Sequence, residues 1–325
     1  MKLSFFLGVA VSVVTAACGG SESSPNDASS AAAGASAGGG SQAAGAAGAM
    51  AGGAPGAGGA GGSSEAGAAG AVAAAGAAGA GQTGGVPFDT VSGATVDADV
   101  AAQLVGVWAM KSRVAVKQTV PILGMMDSAT TAWGLASIEA DGDALVIKEL
   151  GCHVEVDPSP SATTVIPDAV PQSVAPQPVP LHAWKDGPSV QFVRMPKAFG
   201  VGVTLADPET DTLPTKADDP RIVDTDKDGH PGVTVKVMGL ASGDIYTVQR
   251  QKTAYYGALD GSGKLVGRAW DRSEQSVIGA TTPLLNQQVK SSQDPDASKS
   301  TVTMVKVDSS YDCKKLIAEK QKLLP

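Results

Sequence analysis

Apolar and polar residues alternate with a period of two along much of the C-terminal part of the chain. In the clearest run, Val233, Val235 and Val237 fall on one face, while Thr234 and Lys236 fall on the other. This alternation is typical of a strand with one buried face, and no regular alternation of strands with helices accompanies it. The pattern predicts an all-β domain, an antiparallel barrel or sandwich of about 8–10 strands.

Two stretches have a helical period instead. Residues 96–104 predict a short helix before the first strand. Residues 309–324 predict a C-terminal helix, because a Ser-x-x-Asp pattern at the start suits an N-terminal cap and lysines gather toward the end. Proline-containing polar stretches at 157–180 and 207–220 predict long surface loops.

The N-terminus has the pattern of an export signal. Lys2 precedes an apolar run at 3–14, which is too short to span a bilayer but suits a signal peptide. Small residues then lead directly to Cys18. This arrangement resembles the lipobox of bacterial lipoproteins, and the resemblance implies a signal peptide at 1–17 and acylation of Cys18. Ordinary secretory cleavage, with Cys18 incidental, is the alternative.

Residues 18–86 consist largely of glycine, alanine and serine. A segment with so few bulky apolar residues cannot offset its ordering entropy, so we expect a disordered tether with a mean reach on the order of 45 Å. The folded domain is then expected at 87–325. Tethers of this kind after an acylated cysteine are similar to those of Gram-negative lipoproteins. The resemblance implies an outer-membrane lipoprotein that faces the periplasm or the cell surface.

The most distinctive polar motif is an acidic loop just before the clearest strand. Asp224, Asp226 and Asp228 alternate, followed by Gly229 and His230. They match the first half of a calcium loop, in which three carboxylates and the backbone carbonyl of the seventh residue bind the ion. The second half is missing, so the remaining ligands would come from elsewhere; the candidates are Asp218, Asp219 and Asp244. A turn stabilised by aspartate side chains, without an ion, is the alternative.

Two cysteines remain if Cys18 carries lipid. In an exported domain Cys152 and Cys313 are expected to pair, which would attach the C-terminal helix to the sheet. A metal-binding or catalytic thiol is the less favoured alternative, suggested only because His153 follows Cys152.

The first predicted strand begins with the pattern Leu104-x-Gly106-x-Trp108. Together with a late-strand Arg268 that could cover the tryptophan, and with the C-terminal helix, this is similar to the lipocalin-like (calycin) pattern. The resemblance implies a barrel that holds an apolar ligand in its mouth. The second motif of that family is matched only in degraded form at 253–255. The alternative is that Trp108 is an ordinary core residue.

Charge and motif content narrow the possible functions. The net charge of −8 and the absence of a basic run argue against nucleic acid as a partner. The three histidines, His153, His182 and His230, are not in zinc-ligand spacing. No nucleophile motif is present, so an enzyme is the less favoured class.

We therefore expect a monomeric, lipid-anchored cell-envelope β-domain that acts as a binding or structural module, with calcium as its cofactor and the membrane as its partner through the anchor. The alternatives are an extracellular hydrolase with a structural calcium ion, a lipocalin-like carrier of an apolar ligand, and an adhesion or matrix protein.

Overall fold

The computed structural model describes residues 95–120, 124–159, 162–239 and 242–325. The predicted signal peptide, Cys18 and the tether lie outside these residues. Within them, no helix is long and apolar enough to cross a membrane.

Twelve β-strands in the described residues form one antiparallel sheet, which confirms the all-β prediction. The strands are β1 (Gly106–Val120), β2 (Gly124–Asp141), β3 (Ala144–Val156), β4 (Ala162–Val165), β5 (Val179–Asp186), β6 (Ser189–Val201), β7 (Val233–Gly239), β8 (Gly243–Leu259), β9 (Lys264–Asp271), β10 (Glu274–Ala280), β11 (Lys290–Gln293) and β12 (Thr301–Val307).

The sheet is barrel-like, and a ring of strand pairings closes it. Pairing runs from β1 through β2, β3, β5, β6, β8, β9 and β12 and returns to β1. The barrel is uneven because its long strands change partners. The first half of β8 pairs with β7 and β10, whereas its second half pairs with β6 and β9. Of the two arrangements that the sequence leaves open, the barrel is the one that forms.

In the part of the chain that the structure describes, three α-helices accompany the sheet: α1 (Ala98–Leu104), α2 (Ala169–Gln172) and α3 (Cys313–Leu323). The first helix buries Val100 and Leu104 in one core cluster, and α2 buries Val170 in another. The cap of α3 is Asp312, whose carboxylate accepts a hydrogen bond from the backbone N–H of Lys315. The predicted C-terminal helix therefore forms, but it begins several residues later than the pattern suggested.

The barrel interior contains two apolar clusters with a buried polar layer between them. One cluster includes Val154 of β3 and Ile245 of β8, and the other includes Ile147 of β3 and Tyr255 of β8. Along β3, Glu149 lies between the two. The cluster that contains Ile147 is named the α1 core, and the cluster that contains Val154 is named the α2 core.

The predicted loop at 157–180 is only partly correct. It contains β4, α2 and the start of β5. Proline normally excludes a segment from a sheet interior because it lacks an N–H. Pro180 is tolerated because it pairs only with Val146 of β3 and lies beyond the part of β5 that pairs with β6.

The connection between β6 and β7, residues 202–232, has no helix or strand of its own apart from a single bridge between Val203 and Ile222. This segment is called the long connection below. It packs on the outer face of β8 and β10, where Val203 joins Val248 and Ile278 in a small apolar cluster. The predicted loop at 207–220 lies within it.

Candidate cation site

The acidic loop closes the long connection and delivers it to β7. Val223 N–H donates to the carbonyl of Gly202 (3.0 Å), and Gly202 N–H donates to the Thr225 hydroxyl (3.1 Å). Thr225 N–H donates to the carbonyl of Gly232 (3.1 Å). A Cβ on Gly232 would lie 2.3 Å from the carbonyl oxygen of Thr247 on β8. The loop is therefore held tightly against the barrel, and only glycine fits at its end.

Three carboxylates converge within this loop. Asp224, Asp226 and Asp228 each place one oxygen within 4.8 Å of the others. Lys227 and Gly229 have φ angles of 58° and 87°, the left-handed conformation that folds the alternating aspartates inward. The Asp224 carboxylate accepts hydrogen bonds from the N–H groups of Asp228 (3.2 Å) and Gly229 (2.9 Å), which fixes its orientation.

Asp226 is the innermost of the three aspartates. Its Oδ2 accepts a hydrogen bond from Thr234 N–H (3.0 Å), whereas its Oδ1 is buried without a hydrogen-bond partner. Burial raises the pKa of Asp226, and the charges of Asp228 and Asp224 add to this effect. Thr234 is 3% exposed, and its buried hydroxyl faces the Asp228 carboxylate without a hydrogen bond of normal geometry. The cluster therefore contains one buried carboxylate oxygen without a hydrogen-bond partner, and a buried hydroxyl of the barrel faces it.

His230 does not contribute its ring to this cluster. The backbone N–H of His230 donates to Asp228 Oδ1 (2.9 Å), and its imidazole stacks on Tyr246 with the ring centroids 4.7 Å apart. Only the backbone carbonyl of His230 is left to serve as a ligand, in agreement with the seventh position of the predicted loop.

The other predicted ligands are not part of the cluster. Among the described residues the converging group contains neither Asp218, Asp219 nor Asp244. Asp219 instead accepts hydrogen bonds from Arg221, at 2.9 Å from the backbone N–H and 3.0 Å from Nε. The oxygen set fits a hard divalent cation such as calcium, which prefers carboxylate, carbonyl and hydroxyl ligands.

Cys152 and Cys313 lie at bonding distance, as the sequence predicts. Their sulfur atoms are 2.03 Å apart and their Cα atoms 5.0 Å apart. The bond joins β3 to the start of α3, which packs on the outer face of β1, β2 and β3 through Leu316 and Leu324. His153 is not near a free thiol; its ring nitrogens contact Asp168 (2.6 Å) and Glu155 (3.1 Å).

Trp108 lies in the α1 core and is 1% exposed. Its indole N–H donates to the carbonyl of Leu104 (2.8 Å), which ties the end of α1 to β1. The cation over its ring is Lys306 of β12, at 5.5 Å. Arg268, which the sequence analysis offered for this position, instead donates to the carbonyl of Ser298 (2.8 Å). Trp108 pairs directly with Lys306 across β1 and β12, so strand register decides which cation covers it.

The barrel interior contains a buried polar network that the sequence pattern did not indicate. Arg194 Nη2 donates to Glu149 Oε2 (2.8 Å), and the hydroxyl of Tyr255 donates to the other oxygen of Glu149. Burial and the charge of Glu149 raise the pKa of Tyr255, so the phenol stays neutral and donates. Period-two alternation after Leu145 and Ile147 could have placed Glu149 on the inward face. It could not have identified the partners.

Comparison with protein-family models, with curated proteins and with solved structures gives no match for this chain.

Proposed function

We propose that this chain is a lipid-anchored domain of the bacterial cell envelope, acylated at Cys18 and held by its tether at the outer membrane, where it acts as a binding or structural module. The observation that carries the proposal is the bond between Cys152 and Cys313, which joins residues 161 positions apart. Structural disulfides persist in oxidising compartments outside the cytoplasm. The disulfide therefore supports the location outside the cytoplasm that the lipobox-like N-terminus indicates.

Calcium is proposed as a structural ion of this domain. Support comes from the three converging carboxylates and the nearby His230 carbonyl. It also comes from two buried oxygens, Oδ1 of Asp226 and the hydroxyl of Thr234. Calcium is abundant outside the cytoplasm, so a site of modest affinity would be filled there.

A hydrolase is less well supported. In the barrel, Glu149, Arg194 and Tyr255 bring ionisable side chains together, but all three are at most 4% exposed. A substrate would have to reach them through packed core. Their contacts instead satisfy one another, which supports a structural role.

Metabolic labelling with a palmitate analogue tests the anchor. The full chain expressed in a Gram-negative host should incorporate label and partition into the detergent phase, and Cys18→Ala should lose both properties. The matched control is Cys152→Ala with Cys313→Ala, which removes the other two cysteines of the chain and should retain the label. Label that persists in Cys18→Ala, or an unlabelled parent chain, would refute the proposal.

A further inference from the structure

The long connection is attached to the barrel by individual side-chain and backbone contacts and not by a strand ladder. Glu209 forms an ion pair with Lys252 of β8 (2.5 Å) and accepts a hydrogen bond from Ala198 N–H of β6 (3.3 Å). The apolar side chains of the connection, Leu205, Leu213 and Ile222, cover Val248 of β8 and Ile278 of β10. Within the connection, Thr204 N–H donates to the carbonyl of Arg221 (2.8 Å), which closes it on itself without holding it to the sheet. A segment with few buried contacts and no ladder of its own has low local stability.

A second polar attachment lies at the acidic loop. Thr234 belongs to β7, and its backbone N–H donates to Asp226 Oδ2 of the connection (3.0 Å). Next to this bond, Asp226 Oδ1 is buried without a hydrogen-bond partner, and the buried Thr234 hydroxyl faces the Asp228 carboxylate. A buried polar atom without a partner destabilises the fold, and three carboxylates at close range repel one another. A cation removes both penalties.

Building on the structural calcium proposed above, we propose that this ion is a clamp that fastens the long connection to the barrel. Its ligands from the connection are the carboxylates of Asp224, Asp226 and Asp228 and the carbonyl of His230. Its ligand from the barrel is the hydroxyl of Thr234. Because the ion joins groups from both sides, its loss leaves the repelling carboxylates unbalanced and releases the connection, which uncovers the apolar face of β8 and β10.

The connection carries its own reporters of release. Lys216, Arg221 and Lys227 are trypsin sites within it. Digestion of the whole protein in calcium chloride and in chelator, followed by mass spectrometry, measures cleavage at these sites. When opening is fast relative to cleavage, the rate follows the open population. Calcium at 100 times its Kd should therefore slow cleavage by roughly 100-fold. Cleavage at Lys320 and Lys322 of α3, remote from the loop, should not change.

Two variants and one control test the ligands. Asp226→Asn and Thr234→Val should each lose most of the calcium-dependent protection, and Thr234→Val does so without altering any carboxylate. Asp218→Asn, an exposed acid of the same connection outside the converging group, should behave as the parent. If Thr234→Val kept the calcium-dependent protection of the parent, the Thr234 hydroxyl would not be a ligand and the clamp proposal would be refuted.

Calorimetric titration with calcium chloride separates the clamp from the ion site itself. Heat of binding with unchanged tryptic cleavage would overturn the clamp and leave the structural calcium in place. No heat of binding and no change in melting temperature would overturn both. Binding that protects the connection in the parent and in Asp218→Asn, but not in Asp226→Asn, is the expected result.

Discussion

Arg194 lies at the centre of the polar network in the barrel interior. It is 1% exposed, and it binds Glu149 through Nε (3.2 Å) and Nη2 (2.8 Å). Its Nη1 donates to the backbone carbonyls of Met195 (3.1 Å) and Thr253. These carbonyls lie where the pairing of β6 with β8 shifts register, next to Pro196, which has no N–H. The guanidinium therefore neutralises the buried charge of Glu149. It also supplies hydrogen bonds to carbonyls where the ladder between β6 and β8 is interrupted.

Replacing Arg194 by methionine is expected to lower the free energy of unfolding by about 3–5 kcal/mol, because Glu149 would be left buried without its counter-charge. Urea denaturation followed by tryptophan fluorescence measures the change. Arg272→Met is the matched control, since Arg272 is exposed and should alter stability by less than about 0.5 kcal/mol. Equal effects of the two substitutions would contradict a structural role for the network.

Asp294 gives the fold a dependence on acid pH. Lys299 binds its carboxylate (2.8 Å), and this bond, with help from Asp296 N–H and Lys117, lowers the pKa of Asp294 to about 2. In the unfolded chain an aspartate titrates near pH ~3.9. The lower pKa in the folded state means that the ionised carboxylate stabilises the fold above pH ~4, and that this contribution is lost as the pH falls toward 2.

Asp294→Asn should therefore melt at a lower temperature than the parent at pH 6, and the difference should close as the pH approaches 2. Scanning calorimetry between these values measures it. Lys299→Met, which removes the main partner of Asp294, should narrow the same difference. A gap that stays constant over the whole range would contradict the assignment.

At the scale of elements, α3 shows what a pattern determines well. Its apolar face forms as the helical period predicts, but its cap is Asp312 and not Ser309, where the predicted pattern begins. Its position on β2 and β3 depends instead on the bond between Cys152 and Cys313 and on burial of Leu316 and Leu324.

Substituting both cysteines, Cys152→Ala with Cys313→Ala, should lower the free energy of unfolding by about 4–5 kcal/mol in the chain-entropy account of a long closed loop. Urea denaturation of the oxidised parent and of the double variant measures the loss. The parent in reducing agent should match the variant. A loss below about 1 kcal/mol would show that the apolar contacts of α3 hold the helix without the bond.

The elements that the sequence missed are short and non-local. β4 is four residues long, and β5 begins beside Pro180 in a stretch that reads as a loop. Both become strands only because a neighbouring strand offers backbone N–H and carbonyl groups for pairing. β7 pairs with β4, and β6 pairs with β5. A single-sequence pattern contains no information on that edge.

At the scale of the whole molecule, the described residues form a barrel-like sheet filled by its own side chains. Trp108, Phe192 and Met304 are almost fully buried in the α1 core, which α1 closes with Leu104. The interior positions that a carrier would leave open for a ligand are occupied by these side chains.

We expect the protein to show no saturable uptake of a fluorescent fatty acid at micromolar concentration. Phe192→Ala provides the comparison, because deleting a buried ring leaves an apolar cavity that accepts small apolar ligands. Fluorescence titration of both proteins measures the difference. Saturable binding by the parent would instead favour the lipocalin-like carrier.

The sequence by itself determined what short-range geometry encodes: the strands with a period of two, the C-terminal helix, and the convergence of Asp224, Asp226 and Asp228, which are close in space because they are close along the chain. The candidate disulfide partners also followed, since only two cysteines remain once Cys18 is set aside.

Only the tertiary structure decided the closed barrel with its changing strand partners, Lys306 over Trp108, the Glu149–Arg194–Tyr255 network, and the buried hydroxyl of Thr234 beneath the loop. These features depend on strand order and register, which are set by the packing free energy of many residues far apart in sequence.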